Sequence, residues 1–326
     1  MATVSSQTFL EQLHLRRDRL RELSQDGSNA EIAGLLQEVD LALERLQKGT
    51  FGVCEVCHGG IEPEHLLANP IARICIDHLT ADQRRNLEYD LELAHQIQHR
   101  LLPQALPRLA GWDIHYHYQP AGLVSGDYCD LILTEDGTGD VIFLVGDVSG
   151  KGVAASMLMA QLHAMFRTLV SVNLPLEKLL ASANQLLSEA TLSGQFATLM
   201  AGRASPSGQV QLGGAGHLPA LLIEDSAVRS IPAAGLPLGA FCDSRYSTEC
   251  LELAAGDALV LYTDGFTEAC GSDGEYGAQR LTNLLATRRG YQAREITMAC
   301  LNDLHNFMGG AKPSDDLTLL ILRRSD

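Results

Sequence analysis

The sequence predicts an α+β protein: mostly antiparallel sheets covered by helices over residues 110–326, preceded by a small helical module at a cysteine knuckle. Three observations carry this. From Trp112 onward, short apolar runs bounded by turn residues recur, as strands do. Two helical stretches follow one strand, and several strands then come in succession with short turns such as Ser205-Pro-Ser-Gly208. A βαβ array would alternate instead. Before residue 102 the periodicity is helical, with Cys and His residues at metal-ligand spacing.

Taken in order, residues 7–23 place Leu10, Leu13, Leu20 and Leu23 on one helical side, and Ser24-Gln25-Asp26-Gly27 breaks the pattern. Ser28 and Glu31 form a capping box for a second helix. Its stripe is Ile32, Leu35, Leu36, Val39, Leu43 and Leu46, and Gly49 stops it. Two striped helices joined by a short connection predict an antiparallel hairpin.

Cys54, Cys57, Cys75 and His78 follow in the pattern C-x2-C-x17-C-x2-H. Two knuckles at this spacing can surround one structural zinc ion tetrahedrally, and metal would supply folding energy that so short a segment lacks. The alternative is a redox C-x-x-C beside an unrelated Cys and His. His58 and His65 are substitute ligands should His78 point away. The stretches 42–57 and 69–77 resemble the DksA/TraR zinc finger over roughly residues 40–80, departing from it where the usual fourth Cys is His78. Those relatives insert an acidic hairpin tip into RNA polymerase. The corresponding connection here, 24–29, has the single acid Asp26. RNA polymerase is therefore not an expected partner, and the resemblance implies a sensor or docking module over residues 1–79.

Residues 80–109 form a connecting helix. Thr80 and Gln83 make its capping box; Leu87, Leu91, Ala94, Ile97 and Leu101 make its stripe; Pro103 ends it. The stripe can pack on its own domain or pair with a second copy as a homodimer.

In the domain 110–326, strands are expected at 114–118, 128–134, 141–145, 196–202, 218–224, 258–263 and 317–322. Helices are expected at about 153–170, 176–190, 277–287 and 293–307. Acids sit at strand ends: Asp127, Asp147, Asp264 in Thr-Asp-Gly, and the pair Asp315-Asp316. An isolated Asp-Gly is usually a turn, but four such sites converging would repel without cations among them. Oxygen-only donors favour two Mg2+ or Mn2+ ions, which can activate a water and neutralise a phosphate. The turn 149–152 and the helix start behind it suit a phosphate.

These motifs resemble the SpoIIE/RsbU group of bacterial PPM-type (metal-dependent) serine/threonine phosphatases. They are Ile97–Pro103, Pro120-Ala121, Ser125–Asp130, Gly146–Gly152, Phe196–Leu199, Gly214–Pro219, Gly235–Gly239, Tyr262–Gly265 with Glu268-Ala269, and Asp315–Thr318. The resemblance implies a helix-flanked β-sandwich with metals at one end. Asp147 would bridge them, with the Val148 carbonyl and Asp127 on one side and Asp264 and Asp315 on the other. Asp316 is either a further contact or a turn residue. Attack would come from an activated water, with no phosphoenzyme. Animal-type relatives place an arginine before the first acid, and residues 113–126 hold none. Lys151 is the candidate substitute for holding phosphate, or else a solvated turn residue. His217 is expected to be structural.

The formal net charge is −16 with no basic face, which argues against nucleic-acid binding. The N-terminus lacks the order of a signal peptide, no apolar run approaches a membrane span, and the scattered Cys suit reduced thiols. A cytoplasmic protein phosphatase acting on a phosphoprotein, with STAS-type antagonists of anti-sigma factors as the class the family implies, is the leading expectation. Its rivals are a polymerase-binding transcription regulator of DksA/TraR type and a non-catalytic phosphoprotein scaffold.

Overall fold

The computed structural model describes residues 6–24, 30–62, 65–66, 69–134, 136–191, 194–224, 227–272 and 274–325. The chain divides into two compact units, Met1–Asp90 and Leu91–Asp326.

In the first unit, α1 (Ser6–Ser24) and α2 (Ala30–Gln47) pack on each other. Their leucine stripes close a small core of Leu13, Val39, Ala42 and Leu43. Gly49 then takes the left-handed conformation that ends a helix. A second cluster joins Phe9 to Cys54, Ile61, Leu66, Ala72 and Cys75. Arg45 of α2 donates to the carbonyls of Ala72 (3.1 Å) and Ile71 (3.3 Å), and Arg73 makes a forked pair with Glu55 (2.8 and 2.6 Å). These bonds fasten the two cysteine segments to the hairpin. Residues 25–29, and with them the Ser28 cap and the connection bearing Asp26, lie outside the described residues.

Helix α3 (Ala81–Leu101) starts with the expected box: Thr80 N–H donates to Gln83 Oε1 (3.0 Å), and Gln83 N–H to Thr80 Oγ1 (3.2 Å). Its inward face is not the apolar stripe alone. Leu87, Leu91, Ala94 and Leu101 are half-buried, but Ile97 is 54% exposed and its neighbour Gln98 is buried. Gln98 is drawn inward because its amide finds backbone partners. Tyr89, Leu93 and Ile97, four residues apart, stay exposed.

The second unit is two five-stranded antiparallel sheets between helices. One sheet holds β1 (Trp112–Gln119), β6 (Ala220–Glu224), β7 (Ala227–Ile231), β9 (Ala258–Tyr262) and β12 (Leu317–Arg324), in the order β1-β12-β9-β6-β7. The other holds β2 (Tyr128–Leu133), β3 (Val141–Val148), β4 (Ala197–Ala204), β5 (Gln209–Ala215) and β8 (Thr248–Glu252), in the order β2-β3-β4-β5-β8. A two-residue ribbon pairs β10 (Cys270–Gly271) with β11 (Gly274–Glu275).

Side chains alternate along each strand. Val141, Phe143 and Val145 therefore meet Leu259, Leu261, Leu320 and Leu322 between the sheets. Ile142 and Leu144 face α4 (Gly152–Ser171) and α5 (Leu176–Ala190). Val260, Leu319 and Ile321 face α7 (Ala278–Leu285) and α8 (Ala293–Met308). Helices cover both outer faces, so these strands read as unbroken apolar runs. Among the described residues α4 is the one helix long and apolar enough to cross a membrane; Met159, Leu162 and Phe166 instead place it in the core.

Strand β3 runs on to Val148, with Asp147 opposite Thr198 and Val148 opposite Ala197, so the strand does not end at Gly146-Asp147 as expected. Strands β5, β7 and β8 went unpredicted. β7 and β8 are short sheet-edge strands with mostly exposed side chains, and β5 loses its alternation in Gly213-Gly214.

Candidate active site

Antiparallel pairing gathers the acids. The start of β2 lies beside the end of β3, with Tyr128 opposite Gly146, which brings Asp127 near Asp147. The start of β12 lies beside the end of β9, with Leu319 opposite Tyr262, which brings Asp315 and Asp316 near Asp264. Asp264 opens α6 (Asp264–Thr267), a single turn. Gly265 is required there, because a Cβ would collide with the Asp316 carbonyl.

Asp127 joins the two sheets. It is 1% exposed, and its Oδ2 accepts from Thr263 Oγ1 (2.8 Å) and Thr318 Oγ1 (2.5 Å). Thr318 N–H donates in turn to Thr263 Oγ1 (3.0 Å). Burial pushes the Asp127 carboxyl well above its usual range and the charge of Asp147 adds to this, while the threonine hydroxyls oppose it. The two threonines were missed in the sequence. Their signal is position: each lies inside an acidic motif, Thr-Asp-Gly or Asp-Asp-Leu-Thr.

Asp147 is half-buried, and its carboxyl is pushed up to about 7, first by burial and then by the charges of Asp264, Asp315 and Asp316. Asp264 is raised by burial and by Asp315. Val148 is buried and its amide lowers Asp147. These carboxylates are nevertheless spread. Among the described residues no three of them lie mutually within 4.8 Å, the spacing that the cysteine cluster does reach.

Asp315 Oδ2 accepts from Lys151 Nζ at 2.7 Å. Asp316, a candidate metal ligand in the sequence, uses both oxygens on backbone: Oδ1 accepts from Ala121 N–H and Oδ2 from Gly126 N–H, each at 2.8 Å. It therefore braces the loop that delivers Asp127, through bonds that span the fold and not through a local turn. Gln98 of α3 braces the same loop, donating to the Ser125 carbonyl (2.6 Å) and accepting from Ser125 N–H (2.9 Å). No periodicity marks such a residue. His217 Nε2 bonds the Tyr262 carbonyl (3.1 Å) and Nδ1 bonds Thr198 Oγ1 (2.9 Å). Burial lowers its pKa to about 4, so it is a neutral brace between β4 and β9.

In the first unit the ligand atoms of Cys54, Cys57, Cys75 and His78 all lie within 4.8 Å of one another. Cys57 and Cys75 Sγ are 3.8 Å apart, and Cys75 Sγ is 3.1 Å from His78 Nδ1. His58 and His65 are outside this cluster. Burial raises the Cys75 thiol to about 11, whereas backbone amides of Cys57, Cys75 and Val56 outweigh burial at Cys54 and take it to about 6. Three sulfurs and an imidazole nitrogen are a donor set that suits zinc.

A helix-flanked sandwich with strand-end carboxylates at one end defines the class: the domain has the PP2C fold. The chain belongs to the SpoIIE family, its residues 137–325 matching the model for "Stage II sporulation protein E (SpoIIE)". It is similar to protein IcfG of Synechocystis sp., with 28% identity over 267 residues, 72% of this chain and 42% of that protein. It is also similar to phosphoserine phosphatase RsbU of Bacillus subtilis, with 25% identity over 244 residues, 74% of this chain and 72% of that one. Thus the chain spans less than half of IcfG. The solved SiaA-PP2C domain of Pseudomonas aeruginosa shares the fold with a TM-score of 0.65 at 20% identity, covering 75% of this chain and 98% of that domain.

The brace at His217 predicts a pH effect. An ordinary histidine titrates near about 6.5, and here the folded value is about 4. The unfolded chain binds more protons between these values. This contribution to stability is therefore full above pH ~6.5 and is lost as pH falls toward ~4. The thermal midpoint should fall more steeply over this window in wild type than in His217→Gln; parallel slopes would contradict the brace.

Proposed function

We propose that this chain is a metal-dependent protein phosphatase that removes phosphate from phosphoserine or phosphothreonine on a regulatory phosphoprotein. The observation that supports it is the meeting of Asp127, Asp147, Asp264 and Asp315 from two sheets at one end, in no cluster with His or Cys among the described residues. Carboxylates that raise one another's pKa favour a cation between them, and an all-oxygen set fits Mg2+ or Mn2+. Asp147 would serve two ions, with Asp127 and the Val148 carbonyl on one side and Asp264 and Asp315 on the other. Bound ions would supply water activation and charge neutralisation. The chain supplies the rest. Thr263 and Thr318 orient Asp127, Asp316 and Gln98 hold its loop, and Lys151 offers a positive charge to phosphate. RsbU and RsbP of Bacillus subtilis are named phosphoserine phosphatases, and the resemblance points to a STAS-type antagonist of an anti-sigma factor as substrate. None of the eight cysteines forms a disulfide, which suits the cytoplasm.

Hydrolysis of an aryl phosphate should depend on added Mn2+ or Mg2+ and fall to background in Asp147→Asn. Full activity of that variant in metal-stripped buffer would sink the mechanism.

Residues 50–79 we read as a zinc-stabilised regulatory module held by Cys54, Cys57, Cys75 and His78. Elemental analysis should find about one zinc per chain, lost in Cys54→Ser with the phosphatase domain still folded. Zinc absent from reduced wild type would refute it.

Helix α3 carries regulation in this reading, because Gln98 ties it to the loop of Asp127. Its exposed row Tyr89, Leu93 and Ile97, and not the largely half-buried stripe expected from the sequence, is the face left for a second copy. Sedimentation should show a dimer that Leu93→Asp converts to monomer; an unchanged mass would exclude this pairing.

A further inference from the structure

We infer that Lys151 is an exchangeable counter-ion: its ammonium holds Asp315 until a divalent cation takes that carboxylate, and it then holds the substrate's phosphate. This rests on the phosphatase reading above and adds an order of events to it.

The geometry has three parts. Lys151 sits between Gly150 (φ 101°) and Gly152 (φ 71°), both in the left-handed region that favours glycine. The turn so formed presents the side chain at the mouth of α4. The chain crosses from the β3 side to the β12 side, where Nζ lies 2.7 Å from Asp315 Oδ2 and 3.3 Å from the Ser314 carbonyl. The pair is open to solvent, the Lys151 side chain being 59% exposed. The contrast is Asp130, fully buried and gripped in a fork by Arg167 (2.8 and 2.6 Å), a pair built to stay.

An exposed ion pair is weak, so a doubly charged ion with further oxygen ligands displaces the ammonium readily. Four methylenes let the ammonium move without moving backbone. Lys151 also feels Asp264 and Asp316, so its charge belongs to the whole acidic end and not to Asp315 alone. Residues 113–126 offer no arginine or lysine. When Asp315 is taken, Lys151 is thus a cation ready at the rim for an incoming phosphoryl group.

The test uses the full, zinc-loaded chain and two binding measurements without turnover. Mn2+ affinity is read by electron paramagnetic resonance of the free ion, and inorganic phosphate affinity of the Mn2+-loaded chain by calorimetry. Lys151→Gln should bind Mn2+ roughly two- to five-fold more tightly, because a competitor is gone. It should bind phosphate roughly ten-fold more weakly. A circular dichroism melt matching wild type shows that the fold is intact. Mn2+ affinity that is unchanged or weaker in Lys151→Gln overturns the exchange, and so does unchanged phosphate affinity. A wild-type chain that binds both probes yet hydrolyses nothing would sink the phosphatase reading and leave this result legible.

Discussion

The site depends on one buried carboxylate. Asp127 lies where the two sheets close, and its Oδ2 takes hydroxyl protons from Thr263 at the end of β9 and Thr318 at the start of β12. A charge so buried is costly unless it is hydrogen-bonded, and two donors offset that cost. In return, the residues next to those threonines, Asp264 on one loop and Asp315-Asp316 on the other, are fixed with respect to β2 and β3. The acids are thereby held at one end of the sandwich against their own repulsion. Polar groups that would relax in a flexible loop are preorganised here.

Around this anchor the bracing is done by neutral or already paired groups. His217 stays uncharged between β4 and the end of β9. Asp316 and Gln98 both hold the 121–126 loop, one from just before β12 and one from α3. Charge is left for the groups that face the opening, Asp147, Asp264, Asp315 and Lys151. The link through Gln98 makes the position of α3 and the position of Asp127 one mechanical problem.

Much of this was legible in the sequence, for a physical reason. Strands buried on both faces announce themselves as continuous apolar runs, and β2, β3, β9 and β12 appeared within a few residues of their ends. Edge strands β7 and β8 carry no such pattern, because solvent accepts any polar side chain there. The acids were legible as strand-end Asp beside Gly. What joins them was not: Thr263, Thr318 and Gln98 work through long-range hydrogen bonds that leave no periodic trace. In the apolar stripe of α3 only Ile97 departs, for the same reason, since Gln98 is buried by its partners while Ile97 faces out. In the first unit, the C-x2-C and C-x2-H spacing foretold the four-residue cluster because each knuckle is a local turn that fixes its own pair.

The central claim is that the acidic end is a divalent-cation site organised by Asp147. Counting bound Mn2+ by equilibrium dialysis of the zinc-loaded chain tests it most directly. The account predicts about two ions per chain, with at least one lost in Asp147→Asn. A wild-type chain that retains no Mn2+, or an Asp147→Asn variant that retains as much as wild type, would contradict it.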